Sequence, residues 1–276
     1  MRECTFLTLA DIFGNNQIDI IKKYGNKAVI TDFSILLGGF ALNGFHLDRL
    51  TLDNRTGMWF TKSFYDDSNV YYVDHRGCKD VTSNLKRQCG ARPVLLWNKD
   101  INEFSNNEIF EEQFGEYPQS IAGLMEQFFL ENLYNLNELT LTGKRYVVDS
   151  SHTRDSNAKF MGRDLAEYEY NGKKYIRFVT DDFNSCEGIL SDGAVVKPNN
   201  VYWVKVEPIT WIFDKKNKMA LSKKILFSGI QFNNYDKENI LFEKSDIYIF
   251  LNNIFLNDII SINESSKQLI RVGTYH

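Results

Sequence analysis

Cysteine, proline and histidine are scarce in this sequence of 276 residues, with four of each. The cysteines are Cys4, Cys78, Cys89 and Cys186. They are too few and too widely spaced for a disulfide scaffold, and no CxxC pair offers a zinc ribbon or a thioredoxin-type motif. The histidines are His46, His75, His152 and His276. Their spacing does not suit a metal site, so we expect neither a metal nor a cofactor.

Long apolar runs and an excess of basic residues are also missing. No window approaches 18 consecutive apolar residues, which excludes an obvious transmembrane helix. The N-terminal apolar patch includes Glu3 and Asp11 and does not resemble a signal peptide. Thirty-two basic and 36 acidic residues give a net charge of −4, which does not indicate nucleic-acid or membrane binding. We therefore expect a soluble, cytoplasmic protein.

Catalytic motifs are absent as well. No G-x-S-x-G elbow, Walker loop or HExxH motif is found. Asp74 precedes His75, and Asp149 lies close to His152, but neighbours in a strand point to opposite faces and seldom form a triad. These residues favour a protein that is not an enzyme.

What the sequence does contain is a series of short β-type segments with few helices. Strands are predicted at 58–63, 70–74, 90–97, 145–148, 167–170, 174–179, 202–206, 209–213 and 219–221. Asn171-Gly172 between two aromatic-rich runs predicts a hairpin. Apolar spacing predicts a helix over 121–136, and Ser245 is the predicted N-cap of a helix over 247–255. Without β-α-β alternation, this pattern indicates an α+β fold with mostly antiparallel strands and two or three helices.

A polar, acidic stretch at 100–112 has no clear period and is the best candidate for a linker. It divides the chain into regions 1–112 and 113–276. The four tryptophans, Trp59, Trp97, Trp203 and Trp211, all fall in predicted strands and are expected to pack in the core.

Particular strings in both regions resemble a bacterial C-type-lectin-like domain family of unknown function. This family is distantly related in fold to formylglycine-generating enzymes and phage variable receptor-binding proteins. WFTKS, VYYVDHRG and CGARPVLLW resemble its closing half. FGEYPQ, EYEYNGKKYIRF, YWVKVEPITWIF, ALSKKILFSGIQFN and SDIYIFLNNIFL resemble its opening half. Lys62 and Tyr248 stand where the family usually has arginine.

The order of the two halves is reversed in this chain. The resemblance therefore implies a closing-half module at 1–112 and an opening-half module at 113–276. Either the fold is circularly permuted or composite within one chain, or two chains complete each other as a swapped homodimer. A monomer and a swapped dimer both remain open.

The ligand sites of related lectin-like folds are poorly matched. Glu207-Pro208-Ile209 and Trp97-Asn98-Lys99 lack the oxygen ligands that a calcium-dependent lectin needs. Cys78 and Cys89 are spaced more widely than the copper-binding pair of formylglycine-generating enzymes. Whether these two cysteines pair is left open by the sequence.

The first functional hypothesis is therefore a non-catalytic protein-binding module. One setting is a phage- or mobile-element-encoded inhibitor of a bacterial defence system, in the manner of an anti-CRISPR protein. One alternative is a lectin-like protein that binds carbohydrate or a small ligand, and another is a metal or redox enzyme that uses Cys78 and Cys89. The sequence does not identify the protein partner, and we do not expect nucleic acid or a membrane to be one.

Candidate contact residues come from predicted loops. Aromatic side chains there suit binding hot spots, and a local basic patch lies near Tyr71 and Tyr72. The candidates are Phe64, Tyr65, Arg76, Lys79, Lys86, Arg87, Phe232 and Tyr235. Arg92, which precedes Pro93 in a predicted strand, is expected to be a buried structural residue instead.

Overall fold

The structure is a computed structural model that describes residues 3–41, 55–83, 89–96, 105–149, 162–180, 188–233 and 241–260. Its strands are β1 (Glu3–Thr5), β2 (Val29–Ile30), β3 (Trp59–Phe64), β4 (Asn69–Val73), β5 (Lys79–Ser83), β6 (Val94–Leu96), β7 (Ile109–Ile121), β8 (Thr140–Asp149), β9 (Gly162–Tyr170), β10 (Lys173–Val179), β11 (Val201–Asp214), β12 (Met219–Ser222) and β13 (Lys224–Ile225). Its helices are α1 (Leu9–Phe13), α2 (Asp19–Tyr24), α3 (Asp32–Leu36), α4 (Leu124–Asn135), α5 (Asp246–Phe250) and α6 (Leu256–Ile260).

Eight strands form the central sheet. Seven follow the order β1-β6-β12-β11-β10-β9-β8, and β7 pairs with β11 off this path. A separate three-stranded sheet has the order β3-β4-β5. All strand pairs among the described residues are antiparallel except β2 with β13. The mixed α+β class with mostly antiparallel strands is thus confirmed.

The central sheet takes strands from both regions of the sequence. β1 and β6 come from the first region, and β6 pairs with β12 of the second, with Val94 opposite Leu221. The Asn252 side chain adds a further link, because its amide group accepts from the Cys4 N–H and donates to the Cys4 carbonyl, both at 2.9 Å. A single chain therefore contributes both sides of this sheet.

Two predicted features of the second region differ from the structure. The linker predicted over 100–112 is wrong over 109–112, because β7 begins at Ile109 and Phe110 is buried. The strands predicted at 202–206 and 209–213 are one strand, β11, with register shifts on either side of Glu207 and Pro208. Proline lacks an N–H for the ladder, which explains an irregularity at this point.

The number of helices also exceeds the prediction. The described residues contain six α-helical segments, and five of them have only five or six residues. The predicted C-terminal helix is confirmed, since the Ser245 side chain caps α5 by accepting from the Tyr248 N–H. A π-helical turn, Leu251–Phe255, joins α5 to α6. None of the described helices is long and apolar enough to cross a lipid bilayer.

The core lies beneath these helices and contains the tryptophans as expected. Trp59, Trp203 and Trp211 are at most 1% exposed, which confirms the prediction for all three, while Trp97 lies outside the described residues. Trp203 belongs to a small second cluster with Leu130 and Tyr175, between α4 and the sheet.

The predicted hairpin at Asn171-Gly172 is confirmed by the pairing of β9 with β10. Both turn residues have positive φ, 51° and 72°. A two-residue turn of this kind matches the twist of the flanking strands and favours Asn-Gly. The turn thus fixes the register of two strands that lie beneath α4.

We expect Gly172→Ala to destabilise the protein by about 1–2 kcal/mol, because an L side chain is strained at this φ. A Cβ at Gly172 has open space around it, so the cost comes from the backbone alone. Urea unfolding measures this loss. Gly172→Asn is the matched control, since asparagine tolerates a positive φ and has the same open space. Equal stability of the two variants would contradict the attribution of this loss to backbone strain at Gly172.

Candidate interaction surface

Helix α4 confirms the helix predicted over 121–136, but its apolar side chains point to solvent. Five of the ten exposed large apolar side chains among the described residues lie on this helix or at its C-cap residue. They are Leu124 (78% exposed), Met125 (77%), Phe128 (66%), Phe129 (46%) and Leu136 (65%). We call these five residues the α4 apolar face. Only one side chain of the helix, Leu130, is fully buried.

The side of α4 that meets the sheet is held by carboxylates. Glu131 accepts two hydrogen bonds from Arg177, at 2.8 and 3.0 Å, and a third from the Trp203 indole N–H at 3.0 Å. Glu126 accepts from the Tyr175 hydroxyl at 2.6 Å. The hydrogen bond from Arg177 lowers the pKa of Glu131 below its usual range. These charge-assisted bonds fix the helix on the sheet with its apolar stripe outward.

This orientation reverses the usual arrangement of a surface helix. The apolar period predicts where α4 forms, but it carries no information about the hydrogen-bond donors of the sheet beneath the helix. Trp203 and Tyr175 are buried and carry polar hydrogens that need acceptors. Glu126 and Glu131 satisfy that need, so the polar side of α4 faces inward.

The α4 apolar face is comparable in area to the largest exposed apolar patch of a typical monomeric protein. A buried aromatic side chain covers about 150–250 Å², so two partly exposed rings and three mostly exposed aliphatic side chains give a patch on the order of 500 Å². Leu141, at the start of β8, is 60% exposed, and the Phe129 ring lies 5.5 Å from that of Tyr170. The largest patch on a monomeric protein is about 300–600 Å² and is often functional.

Charges at the edge of this face are paired within the chain. Glu126 forms ion pairs with Lys173 at 3.5 Å and with Lys205 at 3.6 Å. Helix α4 itself contains no lysine or arginine. The face is thus apolar at its centre and balanced in charge at its rim, and it offers contact area without catalytic groups.

No known protein family, curated protein or solved structure matches this chain. The C-type-lectin-like resemblance accordingly stays a prediction.

The predicted aromatic contacts have different surroundings. Tyr65 is 59% exposed and packs edge-on against Tyr71, with ring centroids 5.6 Å apart. The loop predicted for Phe64 is wrong, because Phe64 is the last residue of β3; it is half-buried and lies 5.4 Å from the ring of Phe232. Phe232 lies in a loop as predicted, but it is fully buried, so the prediction that it contacts a partner is wrong. Its ring fills space between Phe60 and Phe242 rather than facing a partner.

Three other predicted contacts, Lys86, Arg87 and Tyr235, lie outside the described residues. Arg76 and Lys79 are exposed, and Arg76 forms an ion pair with Asp74 at 2.7 Å. The structure does not bring these two cations to the α4 apolar face, and we do not include them in the proposed surface.

Arg92 is buried, as expected for a structural residue. It is 2% exposed, donates to the Ser222 carbonyl at 3.0 Å and lies over the Trp59 ring at 5.1 Å. Burial lowers the pKa of Arg92 to about 9. Its role is to join β12 to the core near β3.

The cysteines are not arranged as a pair. Cys78 is exposed, Cys4 and Cys89 are buried, and none of the three forms a disulfide among the described residues, while Cys186 lies outside them. Among the described side chains, no group of three or more His, Cys, Asp or Glu residues is placed to hold a metal ion. This arrangement gives no support to the redox alternative based on Cys78 and Cys89.

Proposed function

We propose that this protein is a non-catalytic protein-binding module and that the α4 apolar face is its contact surface. The observation that carries the proposal is the outward orientation of five large apolar side chains on and beside one helix of twelve residues. Exposed apolar side chains in contiguous patches gain most when a partner removes them from water. Polar anchors on the opposite side keep the helix in this orientation.

The charge pattern favours a protein over a membrane as the partner. Helices that lie in a membrane interface carry lysine and arginine on their polar face, where they attract anionic lipids. Helix α4 has neither residue, and its two glutamates, Glu126 and Glu131, are bonded to the sheet. A lipid surface would therefore gain no electrostatic attraction from it.

The partner we propose is a different protein with an apolar groove. Twelve helical residues span about 18 Å, and Leu124 and Phe128, four residues apart, lie as anchors along one side. A convex helix suits a concave groove, as in helix-in-groove recognition. Because the rim charges are paired within this chain, the groove walls should be neutral. An inhibitor that docks on a bacterial defence protein is one role that such a module can fill.

Replacing Phe128 with serine is expected to weaken partner binding by about 30-fold or more, the loss typical of an interface hot spot. Folding should be retained, because Phe128 is 66% exposed. A photo-reactive amino acid at position 128 of the full chain would capture the partner in host lysate. The captured protein would then be purified and titrated with the wild type and with Phe128→Ser by calorimetry. Asn135→Ser, an exposed polar change on the same helix, is the matched control.

Several results would contradict the proposal. One is equal affinity of the captured protein for the wild type and Phe128→Ser, and another is no cross-linked protein at all. A dimer in light scattering that Phe128→Ser dissociates would assign the face to a second copy of the chain. Binding to anionic phosphatidylglycerol vesicles that depends on Phe128 would assign it to a membrane.

A further inference from the structure

A cleft of about 330 Å³ lies beside α3, between the end of β7 and the short strands β2 and β13. Its polar lining includes Asp32, Arg55, Ser120, Ser191, Lys223 and Lys224. No residue of the α4 apolar face lines it. Five separate stretches of chain line this opening, and together they place three cations and one carboxylate at it.

The carboxylate of this cleft is fully engaged by the protein. Asp32 is 1% exposed and accepts hydrogen bonds from the backbone N–H groups of Ile121 and Ser191, at 2.9 and 2.8 Å. It also accepts from the Ser191 hydroxyl and from Arg55. Four donors occupy its oxygens, so Asp32 builds the wall of the cleft and is not placed to ligate a cation.

The lysines leave the cleft with positive charge. Lys223 pairs with Glu111 at 2.7 Å and is 47% exposed. Lys224 is exposed, and no carboxylate of the described chain lies within ion-pair distance of it. Among the described residues, Asp32 balances Arg55 and Glu111 balances Lys223, which leaves the charge of Lys224 without a paired carboxylate at the opening.

We propose that this cleft binds a small anion that carries a phosphate or carboxylate group. Lys224 and Lys223 would contact the anion, while Asp32 holds Arg55 and Ser191 in place as positioning residues. Ligand pockets usually measure about 300–1,000 Å³, so a volume of about 330 Å³ suits a small metabolite-sized molecule. Because the residues of the cleft are separate from the α4 apolar face, the proposed anion binding does not depend on the proposed protein binding.

The test is calorimetric titration of the full chain at low ionic strength with inorganic phosphate and, in a second arm, with succinate. Lys224→Met should weaken binding about tenfold, since a charge-assisted contact is lost while the apolar stem is kept. Lys223→Met should also weaken it. Lys216→Met is the matched control, because Lys216 is 73% exposed and does not line the cleft. The tighter of the two probes identifies the anionic group.

Binding of neither probe would overturn the proposal, as would equal weakening by Lys224→Met and Lys216→Met. Phe128→Ser is expected to leave anion binding unchanged, so failure of the anion site and failure of the protein-binding surface are separate results. Melting temperatures of all variants, measured without ligand, verify that each one is folded.

Discussion

Asp32→Ala should destabilise the fold by about 3–5 kcal/mol, the usual cost of removing one partner from a buried ion pair. The Arg55 side chain is 11% exposed and the Asp32 side chain 1%, so water cannot replace the lost carboxylate easily. The backbone N–H groups of Ile121 and Ser191 lose their acceptor in the same variant. Asp32 therefore holds α3, residue 55, the end of β7 and residue 191 together, and its loss affects all four.

Urea unfolding of the wild type and Asp32→Ala measures this difference. Asp164→Ala is the matched control, because its ion pair with Arg145 is about half exposed on both sides. Exposed pairs contribute about 0–1 kcal/mol. If the two variants lose the same small amount, Asp32 does not have the central structural role that we assign to it.

A decrease in stability between pH 4 and 7 is the second expected result, and it comes from Asp258 of α6. Burial raises the pKa of this carboxyl to about 7, and the charge of Asp164 acts in the same direction. Lys144 and the Val147 N–H act to lower it by less. An unfolded aspartate has a pKa of about 3.9. As the pH rises, the unfolded chain releases its proton first, so stability present at pH 4 is lost through pH 7. Three pKa units correspond to about 4 kcal/mol.

Lys144 of β8 gives the opposite slope at higher pH. Burial lowers its pKa to about 8, and the charge of Lys174 acts in the same direction. The carboxylates of Glu167, Asp258 and Glu116 act to raise it by less. An unfolded lysine has a pKa of about 10.4. Between pH 8 and about 10.4 the unfolded chain binds more protons at Lys144 than the folded chain does. The free energy of unfolding therefore increases as the pH rises through this range, and the increase is lost again as the pH falls to 8. The two groups together place a minimum of stability near pH 7 to 8.

Unfolding free energies of the wild type and Asp258→Asn, measured from pH 4 to 10, isolate the lower slope as a difference between two curves. The curves should converge at low pH and separate towards neutral pH, with Asp258→Asn the more stable protein. Lys144→Met should remove the rise above pH 8, and Lys79→Met, an exposed lysine on β5, should leave it unchanged. Parallel curves for wild type and Asp258→Asn would show that this carboxyl does not titrate as described.

The sequence predicted the elements whose signals are local. The Asn171-Gly172 pair is sufficient to predict its turn, and Ser245 is sufficient to predict a helix N-cap. The apolar spacing of 121–136 is sufficient to predict a helix. Helices α1, α2 and α3 were missed because five or six residues are less than two turns and show no period. Thr31 before Asp32 is a capping signal that could have indicated α3.

Features that depend on distant residues could not be predicted. The orientation of α4 follows from Trp203, Tyr175 and Arg177, which lie 46 to 72 positions beyond their partners on the helix. Aspartate is usually a surface residue. Asp32 is buried because four donors from later in the chain bond to its carboxylate. Phe232 follows two turn-forming residues in the sequence, Ser228 and Gly229, yet aromatic side chains from other elements enclose it.

The arrangement of β1, β6 and β12 has a consequence for how the chain reaches its native state. β1 and β6 are made early during synthesis, but β12 and Asn252, which complete their side of the sheet, follow more than a hundred residues later. Such long sequence separations slow folding, because loop-closure entropy is lost before the contacts form. The first region should therefore leave the ribosome with an incomplete sheet and depend on the last third of the chain to protect it from aggregation.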